Sequence, residues 1–99
     1  VEYDEDARAQ LQLDGVSDVI QAIITGLTAD GALDSAEELK SLVNQVTKAQ
    51  GVKKGLVMKS LRAALMGALK GPDLMDSWLI LRQRQFDVTR LKAAVEQGD

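Results

Sequence analysis

Aliphatic side chains recur three and four residues apart along most of this chain, and this spacing constrains its fold more than any other feature. Residues at that spacing share one face of an α-helix, so each run predicts a helix with one buried side. Aromatic residues make up only 3% of the sequence, and Pro72 is its one proline. A core of Leu, Val, Ile, Ala and Met with few β-branched runs favours helices over strands, and we predict an all-α fold.

The first third of the chain predicts two helices followed by a loop. Residues 4–13 begin with a cluster of acids, which stabilise the positive end of a helix dipole. Ser17 is placed to cap a second helix over residues 18–27, which carries a stripe of Val, Ile and Leu. Residues 28–34, with the sequence TADGALD, are expected to form a loop.

The middle of the chain predicts two further helices. Ser35 followed by Glu38 is a capping-box pattern, and the helix that it opens is expected to run to Gln50. Gly51 then stands where a left-handed terminating residue belongs. Residues 53–69 have an apolar face, although internal glycines weaken the case for a single straight helix.

The last part of the chain predicts two short helices. The pair Gly71-Pro72 ends the preceding segment, and Asp73 is expected to cap the helix that carries Trp78. Asp87 is expected to cap the final helix. No linker divides the chain, so residues 1–99 are predicted to form one compact bundle of five to six short helices.

Charge is strongly segregated along the chain. Residues 1–47 hold ten acids and two bases, a net charge of −8. Residues 48–70 hold six bases and no acid, whereas residues 71–99 have a net charge of −1. The total of −3 is therefore an average that conceals a basic window. Two interpretations stay open at this point, namely a solvated helix face and a binding surface for a polyanion such as nucleic acid.

The residue types exclude several kinds of chemistry. The chain has no His and no Cys, so a Ser-His-Asp triad, a thiolate nucleophile and a sulfur-ligated zinc site are all ruled out. Acidic pairs such as Glu37 and Glu38 stand near a helix start, where acids are expected anyway. We predict no catalytic residue and no metal ligand. Because no apolar run approaches about 18 residues, we expect no membrane span and a cytoplasmic location.

An ordered set of motifs in residues 51–81 resembles the C-terminal anticodon-binding domain of bacterial-type glutamyl-tRNA synthetases. A glycine- and lysine-containing approach leads into a Leu-Arg-x-Ala-Leu core, a spaced glycine and a Gly-Pro-Asp-Leu helix start. A later Arg-Leu pair looks like that of the family's last helix, and the resemblance covers about residues 35–95. The matching residues are Gly51, Lys53, Lys54, Gly55, Leu61, Arg62, Ala64, Leu65, Gly67, Gly71, Pro72, Asp73, Leu74, Arg90 and Leu91.

The resemblance implies a helical-cage fold that grips the anticodon loop of a tRNA. It further implies a parent enzyme, a class I ligase that uses ATP and Mg²⁺ to attach glutamate to tRNA in domains upstream of this one. This domain would itself need no cofactor. A chain beginning at Val1 rather than Met is consistent with a fragment of a longer protein.

By position, the resemblance also implies which residues contact tRNA. Arg62 would bind bases or phosphates, Lys53, Lys54 and Lys59 would bind phosphates, and the backbone near Ser60 would meet anticodon bases. The full predicted set is Lys53, Lys54, Met58, Lys59, Ser60, Leu61, Arg62, Gly67 and Lys70.

The sequence departs from the family pattern at a few of these positions. The family usually has an apolar residue and a proline before Leu-Arg, where this chain has Lys59 and Ser60. Without the proline, the turn is expected to be softened or the helix to be continuous. Met66 replaces a small hydroxyl residue, whereas Lys70 retains a positive charge.

A second hypothesis belongs to a different class of function. The acidic residues 1–47 could dock a basic partner, which would make the chain a helical protein–protein interaction module. The acid-free window at 48–70 favours the tRNA hypothesis, because an adaptor would not need it. Under the tRNA hypothesis we expect a monomer that binds neither DNA nor membranes.

Overall fold

Six α-helices follow one another along the described part of the chain, and they confirm the all-α prediction. The computed structural model describes residues 3–29, 35–71 and 73–98, and no strand occurs within these ranges. In chain order the helices are α1 (Glu5–Leu11), α2 (Val16–Ala29), α3 (Ala36–Gln50), α4 (Lys54–Met66), α5 (Leu74–Gln83) and α6 (Asp87–Gly98). The Cα radius of gyration is 12.0 Å, close to the roughly 13 Å expected for a compact domain of 100 residues.

Helix α4 lies at the centre of the bundle and contacts each of the other five helices. Its side chains Val57, Leu61 and Leu65 are fully buried and belong to the hydrophobic core, to which all six helices contribute. Trp78 of α5 is also fully buried, so it is part of the core and not an exposed stacking surface. Burying each aliphatic side chain such as Leu61 contributes about 1.5–3 kcal/mol, so the three buried on α4 make this helix a major source of the stability of the bundle.

Two predicted helix boundaries are confirmed in atomic detail. The Ser35 hydroxyl accepts a hydrogen bond from the Glu38 backbone N–H at 3.2 Å and donates one to the Glu38 carboxylate at 3.0 Å. At the other end of α3, Gly51 has φ +65°, and its N–H donates to the Lys48 carbonyl. An L side chain at that φ would be strained, so the glycine fits the end of the helix.

Several helix boundaries differ from the sequence prediction, beginning with α1, which ends at Leu11, two residues before the predicted limit. Helix α2 begins at Val16, so Ser17 lies inside its first turn and does not cap it. The same helix continues to Ala29, which places the first two residues of the predicted 28–34 loop within it; positions 30–34 lie outside the described residues. Helix α4 ends at Met66 because Gly67 adopts φ +73°, three residues before the predicted limit.

Asp87 does not cap α6 as predicted. It is the first residue of that helix, and its side chain is turned into the core with only 2% of the residue exposed. One carboxylate oxygen accepts hydrogen bonds from the Trp78 indole N–H at 3.2 Å and from the Arg82 guanidinium at 2.8 Å. Because a buried indole N–H needs an acceptor, the carboxylate is used to join α5 to α6 rather than to cap a helix.

The backbone of the turn between α5 and α6 is strained at one residue. Gln85 has φ +62°, and it is the one non-glycine residue with a positive φ among those that the structure describes. The Gln85 N–H donates to the Arg82 carbonyl at 3.0 Å and the Phe86 N–H to the Leu81 carbonyl at 2.9 Å. This bonding pattern is the Schellman motif, in which glycine usually takes the left-handed position.

Replacing Gln85 with glycine should therefore stabilise the domain. We expect Gln85→Gly to raise the free energy of unfolding by about 0.5–1 kcal/mol, because relief of the left-handed strain exceeds the extra entropy of glycine in the unfolded chain. Urea unfolding monitored by far-UV circular dichroism measures the change. A loss of stability would show that the Gln85 side chain makes a stabilising contribution larger than the strain.

Candidate nucleic-acid interface

The solvent-facing side of α4 is one narrow strip. Residues Gly55, Lys59, Arg62 and Met66 follow one another at intervals of four, three and four, which places them on one face of the helix. Gly55 and Lys59 are exposed, and Arg62 and Met66 are half-buried, whereas most of the other α4 side chains are buried in the core. The strip spans about 17 Å along the helix axis, and its two charged side chains are both positive.

The start of α4 is also electropositive, in a way that does not favour the helix itself. Lys53 is the N-cap residue and makes no side-chain capping bond within the described part of the chain, and Lys54 begins the helix. The first turn contains no acid, whereas α1, α2, α3, α5 and α6 all have one there. Because cations at a helix N-terminus are opposed by the helix dipole, the local charge is better matched by an external anion.

An open groove runs beside this end of α4. It has a volume of about 410 Å³ and lies between α1 and the start of α4. A Cβ added to Gly55 would meet nothing within 4 Å, so the helix backbone is accessible from the groove. Residues that line the groove are Gln10, Leu13, Lys53, Gly55, Leu56 and Lys59.

The structure separates the predicted contact residues into two groups. The exposed or half-buried group can reach a ligand directly and consists of Lys53, Lys54, Met58, Lys59, Arg62 and Lys70. Ser60, Leu61 and Gly67 are buried, so the side chains of Ser60 and Leu61 lie beneath the interface and Gly67 contributes only its backbone, at the end of α4. None of the four lysines in the first group forms an ion pair within the described ranges, which leaves their charge available.

Helix α4 is continuous through Ser60, where the family pattern has a proline, because serine keeps its backbone N–H and has no ring to clash with the preceding turn. The Ser60 hydroxyl donates to the Leu56 carbonyl at 2.7 Å and accepts from the Gln10 side-chain amide at 3.1 Å. The second bond ties α1 to the middle of α4, and both partners are buried. Sequence reasoning missed this role of Gln10, because a lone polar residue on a helix gives no indication of a partner fifty positions away.

The C-terminal end of α4 is held by two other parts of the chain. The Arg90 guanidinium donates to the Leu65 carbonyl at 2.7 Å, and the Asp4 N–H donates to the Gly67 carbonyl at 2.8 Å. A cation at this end complements the helix dipole, and α4 has no basic residue in its own last turn. Arg90 of α6 therefore fixes the end of the strip, a function that the sequence match alone did not indicate.

The Tyr3 hydroxyl lies buried near this same end of α4. It meets no hydrogen-bond partner among the residues that the structure describes. Burial raises the pKa of the Tyr3 phenol above its usual 10.0, and the nearby Arg90 charge partly opposes that shift. A raised pKa means that the folded chain holds the phenol proton more tightly than the unfolded chain does.

The Tyr3 shift predicts a specific dependence of stability on pH. Its contribution to the free energy of unfolding is complete below pH 10 and is lost as the pH rises above that value. We expect Tyr3→Phe to leave stability at pH 7 unchanged or slightly higher, because the lost hydroxyl has no described partner. Between pH 8 and pH 11, the Tm of thermal unfolding should fall less steeply for Tyr3→Phe than for the unaltered chain. Parallel curves of Tm against pH would contradict the raised pKa of Tyr3.

Among the residues that the structure describes, no group of three or more His, Cys, Asp or Glu side chains is placed so that it could hold a metal ion. None of the helices is both long and apolar enough to cross a membrane, judged over the same ranges.

The chain is similar to one known domain family and to several known enzymes. Residues 1–95 match the family described as the anticodon binding domain. The chain is 55% identical over 93 residues to a glutamate–tRNA ligase of Microcystis aeruginosa, covering 94% of this chain and 19% of that protein. It is 50% identical to the ligase of a Picosynechococcus species over 96% of the chain and 20% of the relative. The ligase of Nostoc punctiforme is 44% identical over 100% of the chain and 20% of its own length.

These matches extend over nearly all of the chain, and they include both the basic strip of α4 and the helices that support it. The chain spans about a fifth of the length of these relatives. It therefore belongs to the anticodon binding domain family.

Proposed function

We propose that this chain is the part of a glutamate–tRNA ligase that binds the anticodon loop of tRNA. The observation that carries the proposal is the cationic strip of α4, which is the exposed side of the most deeply packed helix. The lysines on and beside it have no ion-pair partner in the described ranges, and the family to which the chain belongs is defined by anticodon binding. A rigid helix that presents unpaired lysines suits a single-stranded RNA loop, whose phosphates and bases are both accessible.

The proposed contacts divide by chemistry. Lys53, Lys54 and Lys59 neutralise loop phosphates, because an ammonium is a point charge without directional base recognition. Arg62 contacts a base edge or a phosphate, since its planar guanidinium can donate two parallel hydrogen bonds. Lys70 follows the end of α4 and extends the positive surface beyond Met66.

The rest of the reaction belongs to the parent protein in this proposal. The relatives are about five times longer than the chain, and we assign ATP, Mg²⁺ and the transfer of glutamate to the polypeptide that the chain does not span. This domain then acts as a tRNA-binding part of a cytoplasmic, monomeric enzyme of protein biosynthesis. It positions the tRNA, and it binds neither DNA nor membranes.

Titration of the chain with glutamate tRNA at two salt concentrations tests the proposal. We expect binding at low salt that weakens steeply as salt rises, because each phosphate contact on a single strand contributes a slope of about 0.7 in log affinity against log salt. A tRNA whose anticodon arm has been deleted is the matched control. No binding at low salt, or equal binding of the deleted tRNA, would contradict the proposal.

The alternative of an adaptor that docks a basic protein through residues 1–47 is not supported. The relatives are ligases, and the family match extends across the acidic half as well as the basic window. Acids near the N-termini of α1, α2 and α3 are accounted for by stabilisation of those helices.

A further inference from the structure

The turn between α5 and α6 combines features that the packing of the domain does not explain. Phe86 is 51% exposed, although it is one of only three aromatic residues in the chain. Arg84 and Gln85, which precede it, are also exposed, and Arg84 has no ion-pair or hydrogen-bond partner for its side chain among the described residues. Gln85 has a left-handed backbone conformation at φ +62°, which is strained in a residue with a Cβ.

The turn lies near the C-terminal end of the α4 strip. The Arg90 backbone N–H donates to the Phe86 carbonyl at 3.1 Å, so Phe86 is one helical turn away from Arg90. The Arg90 side chain in turn reaches the Leu65 carbonyl at 2.7 Å, next to Met66 at the end of the strip. One helical turn and one arginine side chain therefore separate the Phe86 backbone from the end of α4.

We propose that this turn is a second RNA contact, in which Phe86 stacks on an unpaired nucleobase and Arg84 binds the adjoining phosphate. The inference rests on the proposed function of the α4 strip and extends the RNA-binding surface to the turn between α5 and α6. An aromatic face stacks on any base, and a neighbouring arginine supplies the charge that the backbone requires. The exposed amide of Gln85 has both a donor and an acceptor for a base edge, which gives the strained residue a use that glycine would not have.

The geometry of the turn is suited to this task. Its two Schellman hydrogen bonds, at 3.0 Å and 2.9 Å, fix the backbone on both sides of Gln85. Arg82 is bonded to the buried Asp87 carboxylate, which holds the turn to the core and keeps that arginine separate from Arg84. A stacking side chain on a fixed turn loses little conformational entropy when a base binds, so less of the stacking free energy is offset.

The test measures the affinity and the salt slope of turn variants for the anticodon stem–loop of glutamate tRNA. We expect Phe86→Ala to weaken binding about tenfold with an unchanged salt slope, because stacking releases no counterions. Phe86→Trp should keep the affinity of the unaltered chain, because tryptophan can also stack on a base. Arg84→Ala should lower the slope of log affinity against log salt by about 0.7. Ile80→Ala is the matched control: it removes an apolar side chain of similar exposure, 54%, that cannot stack on a base.

The outcomes distinguish this inference from the function on which it rests. If the unaltered chain binds the stem–loop and Phe86→Ala binds it equally well, the second contact is wrong while the α4 strip stands. Equal losses for Phe86→Ala and Ile80→Ala would also overturn it, since they indicate a general apolar contact rather than stacking. If the unaltered chain does not bind RNA at low salt, both proposals fail together.

Discussion

Replacing Asp87 with alanine will destabilise the domain by about 3 kcal/mol, the largest single effect that we expect for a polar residue. Asp87 is only 2% exposed, and its carboxylate accepts hydrogen bonds from both Trp78 and Arg82. Its removal leaves the buried indole N–H without an acceptor, which costs about 1–3 kcal/mol, and it breaks a largely buried ion pair as well. The free energy of unfolding from urea denaturation measures the loss.

Two further variants interpret the effect of Asp87→Ala. One removes the charge of Asp87 but keeps a hydrogen-bond acceptor, and the other removes an exposed acid elsewhere as a control. Asp87→Asn keeps an acceptor for the Trp78 N–H and removes only the charge, so we expect roughly half of the destabilisation. Asp14→Ala removes an exposed acid between α1 and α2 and should change stability by less than about 0.5 kcal/mol. If Asp87→Ala matched Asp14→Ala, the junction of α5 and α6 would not depend on this carboxylate.

Replacing Lys59 and Arg62 together with alanine will weaken binding of the anticodon stem–loop of glutamate tRNA by roughly 20-fold at 0.1 M salt. The estimate counts both side chains as phosphate contacts, each of which contributes about 0.7 to the salt slope of a single strand. The slope itself should therefore fall by about 1.4. Filter binding or fluorescence anisotropy at several salt concentrations measures both quantities, and thermal unfolding checks that the variant is folded.

The matched control for this prediction removes the same charge elsewhere. Lys40→Ala with Lys92→Ala takes two exposed lysines from α3 and α6, so the net charge changes by the same amount. We expect this pair to change the affinity by less than about threefold, because charges beyond a Debye length of about 8–10 Å are screened. Equal losses for both pairs would mean that net charge alone, rather than the α4 strip, determines the affinity.

Most of the fold can be predicted from short-range sequence patterns, such as the residues that cap and end helices. Ser35 with Glu38, Gly51 and Asp73 determine their helix ends through bonds to nearby residues, and the structure forms those bonds. The prediction failed for Asp87, whose carboxylate bonds to partners five and nine residues away in the preceding helix. An acid at a helix start looks the same in sequence whether it caps the helix or is buried against a neighbour.

The sequence likewise predicts some features of the candidate site but not others. The basic window at 48–70 is visible from composition, and the spacing of Lys59 and Arg62 predicts that they share a face of α4. Neither the exposure of Phe86 nor the contact from Arg90 to Leu65 could be predicted, because each depends on how α6 packs against α4. Contacts between residues distant in sequence require the three-dimensional arrangement.

The most direct test of anticodon recognition compares two stem–loops that differ only in their three anticodon nucleotides. One carries the anticodon of glutamate tRNA and the other an unrelated anticodon, and the dissociation constant of the unaltered chain is measured for each at the same salt concentration. We expect at least about a tenfold preference for the glutamate anticodon, since one base-edge contact is worth about 1–3 kcal/mol. Equal dissociation constants would contradict anticodon recognition and would leave only sequence-independent attraction between the α4 strip and RNA phosphates.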